Sequence, residues 1–294
     1  MFAVQTAALL ALNTNTTYAS PVDSFTPGSL PTATAVNITA SGAALDLNGY
    51  TQTIGSLAGV AGSNVYLGSG RLTAGGDNTS TTFAGVISGN GGSLVKTGGG
   101  VFTLTGLNTY TGGTFVNAGT LRVNGSLANT AVTVASGATL GGSGTIGGPA
   151  TFSSGAHLAP GNSPGTITFT GGLALEGGMF LDFELGTTSD LILVTGGTLS
   201  GPTSGTITVN LSNSGGFTAG TYTLIDATGA TLGSIGATSF DLGVTIAGYT
   251  YTFAQNGDLF QLTATAVPEP ATTAALSGLA IVGFAIFRRR RAKP

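Results

Sequence analysis

Three stretches of the chain repeat one short pattern: "FVNAGTL" (Phe115–Leu121), "VTVASGATL" (Val132–Leu140) and "ATFSSGAHL" (Ala150–Leu158). Their glycines, Gly119, Gly137 and Gly155, recur every 18 residues. Each stretch alternates apolar and polar residues, reaches a glycine, then closes on a leucine. Alternation with period two marks a half-buried strand, and a glycine supplies the backbone freedom a tight corner needs. A repeat this short cannot enclose its own apolar face, so successive copies must stack to make a core. "VNITASGAALDL" from Val36 and "VYLGSGRL" from Val65 are further copies outside the strict register. The expected body is therefore an all-β parallel β-helix, or β-solenoid, over residues 21–175. At about 4.8 Å between rungs, the copies from Val36 to Leu175 would rise on the order of 35 Å. An antiparallel β-sandwich with glycine-rich turns is the alternative, since evenly spaced short strands suit both.

After Leu175 the strands lengthen and gain aromatics, as in "MFLDFELG", "TITVNL" and "VTIAGYTYTF". Residues 176–266 read as a C-terminal β-region that caps the stack.

Composition agrees with order. Glycine numbers 51 and proline 10, yet hydrophobic residues make up 41%, enough apolar surface to offset the entropy of folding. Cysteine is absent, which excludes disulfides, zinc–thiolate sites and a thiol nucleophile. Up to Val267 the only cations are Arg71, Lys96 and Arg122, against ten acids, a net of −7. Such a body has no electrostatic footprint for nucleic acid.

The tail differs. "VPEPATTAALSGLAIVGFAIFRRRRAKP" places five of the eight basic residues in its last seven positions. Residues 271–287 are uncharged, and as a helix would extend roughly 26 Å, close to the roughly 30 Å of a bilayer core. A single C-terminal transmembrane α-helix is expected there. Arg288, Arg289, Arg290 and Arg291 would hold its end in the cytoplasm, with the acidic body exported. Pro268-Glu269-Pro270 resists both helix and sheet and should form an accessible linker.

The order Pro-Glu-Pro, short apolar run and terminal arginine cluster over residues 267–294 resembles the PEP-CTERM sorting signal of Gram-negative bacteria. The resemblance implies an exosortase, a membrane peptidase, as partner. Pro268, Glu269 and Pro270 would be its recognition residues, and no catalytic residue of this chain is implied. It also implies an inner-membrane intermediate, then a cell-surface or extracellular location in exopolysaccharide and biofilm settings.

A second resemblance covers residues 81–123. "LVKTGGGVFTLTG", "NTYTGGT" and "VNAGTL" look like the autotransporter-associated β-strand repeat, a family linked to right-handed β-helices in exported proteins. Residues 1–20 hold a short apolar run and small residues near Ala19, but no Lys or Arg ahead of it. They are expected to be a weak export signal or the remnant of a start lying further upstream.

Few residues suggest chemistry. Asp182 and Glu184, two apart on an expected strand, share one face, with Asp190 close behind. Paired carboxylates suit a glycosidase or a calcium site, although a solvated acidic edge meets the same pattern. His157 is the single histidine, without a triad around it, and is expected on the surface of a rung. "TGGG" at Thr97–Gly100 lacks the ending of a phosphate loop and reads as a corner. The expectation is a structural surface protein with no catalytic residue, metal or cofactor. A polysaccharide-acting β-helix enzyme using Asp182, Glu184 and Asp190, and a membrane-anchored glycan-binding adhesin, are the alternatives.

Overall fold

The computed structural model describes residues 15–18, 23–24 and 30–268. Within them the chain winds as a parallel β-solenoid, each turn giving one strand to each of three faces. One turn illustrates the rest. Thr120–Val123 lies in the first sheet, Ser126–Leu127 in the second and Val132–Val134 in the third, before Thr139–Gly142 returns to the first. Thr120 then sits over Thr139, Ser126 over Thr145 and Val132 over Ala150, all in parallel register. The first sheet reaches 11 strands and the third 9, whereas the second is divided into a 4-stranded and an 8-stranded part. Parallel ladders on every face exclude the sandwich.

Alternation does the sorting of side chains. Leu121, Leu140, Leu158 and Leu181 occupy equivalent inward positions on consecutive turns of the first sheet, all fully buried. Each contributes roughly 1.5–3 kcal/mol of apolar burial, and none could do so without the turns above and below it.

The break in the second sheet falls between Val86–Ser88 and Leu107–Asn108. The buried Asn108 mends it. Its Oδ1 accepts from Ile87 N at 3.0 Å, and its Nδ2 donates to Gly106 O and Ser126 O, each at 3.1 Å. A side-chain amide thus substitutes for backbone pairing where the ladder lapses.

Gly119, Gly137 and Gly155 stand at the corner from the third sheet to the first, with φ of 63°, 75° and 80°. Gly137 N donates to Gly155 O at 2.8 Å, so this corner stacks as the strands do. The outlying copies use other corners, Gly42 between first and second sheets and Gly68 between second and third.

Turn length drifts along the stack. Thr139 and its partner His157 are 18 residues apart, His157 and Phe180 are 23, Phe180 and Thr208 are 28, and Ile207 and Phe240 are 33. Parallel pairing in the first sheet continues through Phe240–Leu242. Apart from an isolated antiparallel bridge between Gly142 and Gly161, antiparallel ladders among the described strands run only between Gly220–Asp226, Leu259–Ala266 and Tyr249–Asn256. There Phe217 packs against Tyr222 and Tyr249 with ring centroids 5.0 and 4.9 Å apart. Phe240 meets Phe253 and Phe260 beside them, closing the end of the core.

The expected fold class needs one correction. It joined a parallel β-helix to a single C-terminal transmembrane α-helix, and the described residues contain no α-helix, only a 3₁₀ turn at Ala237–Ser239. No helix among them is long and apolar enough to cross a membrane. The reason is that the apolar pattern of the described chain has period two and is consumed by strand stacking. The fold class is thus an all-β solenoid. Residues 271–287, where the span was expected, lie outside the described residues, as do residues 1–14.

Candidate functional site

The outer surface of the first sheet carries a groove of about 590 Å³. Its floor exists because two successive outward positions are small. Gly141 pairs laterally with Arg122 on one side and with Ala159 on the other, so the row of side chains sinks between Arg122 and the next large groups. The far bank is the strand Phe180–Gly186, whose outward residues Phe180, Asp182 and Glu184 alternate with the buried Leu181, Phe183 and Leu185. Asn210 and Ser212 continue that bank on the following turn.

Asp182 is fully engaged. His157 donates from Nδ1 to its Oδ2 at 2.7 Å, and Asn210 donates from Nδ2 to its Oδ1 at 2.8 Å. Asn210 in turn accepts from Val244 N at 2.9 Å. The His157 ring stacks on Phe180, centroids 4.6 Å apart. These bonds tie four consecutive passes of the chain across the first sheet.

Asp190 has a different task. It is 1% exposed, and its two oxygens accept from Gly165 N and Glu184 N, both at 2.7 Å. The side chain therefore pins the loop over residues 160–165 to the carboxylate bank. Burial pushes its pKa up to about 6, with the neighbouring charge of Glu184 adding to the rise and the two N–H donors opposing it. Since the folded value lies above the unfolded 3.8, this group favours the fold fully below pH 3.8 and loses that contribution as pH rises through 6. Urea titrations should therefore show wild type losing roughly 3 kcal/mol between pH 3.5 and 7 relative to Asp190→Asn. Parallel pH profiles for the two proteins would contradict this account.

Glu184 is half-buried, and its Oε2, itself buried, has no hydrogen-bond partner among the described residues. Arg122 on the opposite bank forms no ion pair among the described residues. No group of three His, Cys, Asp or Glu among the described residues could hold a metal ion.

The three carboxylates singled out in sequence thus come together, Asp182 and Glu184 on one face and Asp190 beneath them, with His157 on the rung surface beside Asp182. Arg122, Gly141, Ala159 and Asn210 carried no sequence signal, because the site spans five passes of the chain. Thr97–Gly100 forms the corner after the strand Ser93–Lys96. Of the sorting residues, Pro268 is exposed just past the last strand, while Glu269, Pro270 and Arg288–Arg291 lie outside the described residues.

Residues 94–123 match the family model of the passenger-associated-transport-repeat, which here begins in the strand Ser93–Lys96 and ends with Thr120–Val123. Residues 266–291 match the PEP-CTERM protein-sorting motif. This is an exported surface protein. Its PEP-CTERM motif implies exosortase-dependent sorting, and residues 94–123 of its body are autotransporter-like repeat sequence. The chain is also 42% identical over 86 residues to the adhesin BmaC autotransporter of Brucella suis biovar 1 (strain 1330). That alignment takes in 28% of this chain and 2% of the adhesin, so the chain spans a small fraction of that relative's length.

Proposed function

We propose that this PEP-CTERM protein is a structural component of the cell surface or extracellular matrix, processed by an exosortase at Pro268-Glu269-Pro270. Arg288–Arg291 form the basic end of the same signal. The observation that carries the reading is where the motif begins. The last strand ends at Ala266, Val267 N makes a final bond to Gly248 O at 2.9 Å, and Pro268 is already exposed. A peptidase approaching this segment would not need to disturb the solenoid.

A structural rather than catalytic role is supported by the bonding of the carboxylates. A glycosidase needs two free carboxyl groups flanking the bond it cleaves. Asp182 and Asp190 each have both oxygens committed within the fold, which leaves Glu184 alone. Adhesion is the second reading, favoured by the autotransporter relative, and matrix exopolysaccharide would be the partner in either case.

The test compares surface delivery and intact mass for the full chain, a chain lacking residues 267–294, and a chain with Pro268, Glu269 and Pro270 replaced by alanine. Loss of delivery in the deletion and retention of the full mass in the alanine variant are expected. Normal delivery of the deleted chain would overturn the sorting role.

A further inference from the structure

We propose that Asn256 is a self-modifying site, converted without any enzyme to a mixture of aspartate and isoaspartate. Four Asn-Gly pairs occur in the chain, at Asn48, Asn90, Asn124 and Asn256. In each, the glycine lacks the side chain that would keep its nitrogen away from the neighbouring amide carbon. The fold decides which pair can react.

Three of the pairs are held within the stack. Gly91 N donates to Thr111 Oγ1 at 2.8 Å, and the same hydroxyl donates to Asn90 Oδ1 at 3.3 Å. Gly125 N donates to Leu104 O at 3.1 Å, and Asn124 Oδ1 accepts from Ser143 N at 3.3 Å. Gly49 N is covered by the next turn, where a Cβ on Gly68 would stand 2.8 Å from it. Asn48 N is also tied to Asp46 Oδ1 at 2.8 Å.

Asn256-Gly257 lies at the tip of the terminal hairpin. Asn256 pairs with Leu259 and closes a two-residue turn that Gly257 opens at φ 61°. Both residues are exposed. Neither the Asn256 side chain nor Gly257 N makes a hydrogen bond among the described residues. The Asn256–Leu259 pair is the last of its ladder, so it opens at little cost and frees the Asn256 backbone to turn.

The chemistry needs only water. Gly257 N gives up its proton and bonds to Asn256 Cγ. The Cγ–Nδ2 bond breaks, ammonia leaves, and a five-membered succinimide remains. Water then adds to either of its carbonyls. Opening at Cγ restores the main chain with an aspartate, whereas opening at the backbone carbonyl routes the chain through Cγ as isoaspartate, one methylene longer. Either product adds a charge close to Asp258 in an already acidic body. Isoaspartate also spoils the register of the hairpin that brings Phe253 and Phe260 to the end of the core.

The experiment incubates the full-length chain at pH 8 in water enriched in oxygen-18, folded and in urea, and maps all four asparagines by peptide mass spectrometry. In the folded chain Asn256 should convert about tenfold or more faster than the other three, the margin being set by local opening. It should take up one solvent oxygen and yield both isomers. In urea the four rates should converge, since the glycine is common to all four. Asn256→Gln should abolish the fast conversion and leave the other three sites unchanged. Failure of Asn256 to outpace the others in the folded chain, conversion to aspartate without isoaspartate, or a margin that persists in urea would overturn the proposal.

Discussion

Gly125→Ala is expected to destabilise the solenoid by about 3 kcal/mol or more, while Gly137→Ala costs only about 1–2 kcal/mol. The two glycines serve different needs. A Cβ on Gly125 would lie 2.1 Å from Gly106 O and 2.6 Å from Thr105 O, both backbone atoms that cannot move aside without parting two turns. A Cβ on Gly137 would meet nothing within 4 Å, so its penalty is the left-handed φ of 75° alone. Gly125 belongs to a second glycine column at the corner from first to second sheet, with Gly85, Gly106 and Gly144. A Cβ on Gly106 would strike Gly85 O at 1.8 Å, and one on Gly144 would strike Gly125 O at 2.1 Å. Urea unfolding followed by circular dichroism measures both variants. Equal midpoints would show that close approach of the turns is not what requires glycine there.

Lys96→Ala should cost about 3 kcal/mol at pH 7, the scale of losing charged hydrogen bonds to buried acceptors. Lys96 is 1% exposed, and its Nζ donates to Thr97 O at 2.6 Å, Gly98 O at 2.7 Å and Ala118 O at 3.1 Å. The first two carbonyls belong to its own corner and the third to the next turn, so one ammonium clamps consecutive corners together. Burial lowers its pKa to about 8, opposed in part by the charge of Asp77. Between pH 8 and 10.5 the unfolded lysine holds a proton that the folded one has lost, so stability should rise with pH across that window. The gain is roughly 3 kcal/mol in wild type and should be absent in Lys96→Ala. A flat or falling wild-type profile would overturn this pH dependence, showing that the three carbonyls favour the ammonium by at least as much as burial disfavours it.

These two residues also mark what could be read from the chain alone. The 18-residue spacing of Gly119, Gly137 and Gly155 was legible because three consecutive turns there have nearly equal length and the same corner. Gly85, Gly106, Gly125 and Gly144 form an equally regular column in space, but their spacings of 21, 19 and 19 residues follow the drifting turn length. Each is followed two residues on by an inward or near-inward position, Ile87, Asn108, Leu127 and Ile146, and that weak pattern was the available signal. The aromatic strands after Leu175 were recognised as strands, yet most of them continue the parallel stack. Their longer connections hide the period. Asp182 and Glu184 shared a face as their spacing dictates, whereas Arg122 joined them through lateral stacking across two intervening rungs, those of Gly141 and Ala159. Lys96 was visible only as a motif residue, since its acceptors include a carbonyl 22 residues away.

The lengthening of successive turns has a last consequence. Closing a loop of 33 residues rather than 18 adds only about half a kcal/mol of entropy cost, provided the strands land in the same register. Perimeter is therefore nearly free to vary, while axial spacing is held by the glycine columns to the width of one backbone. Such a body can acquire loops around its circumference, as at residues 160–165, without renegotiating its core. It is an inextensible rod with an editable rim.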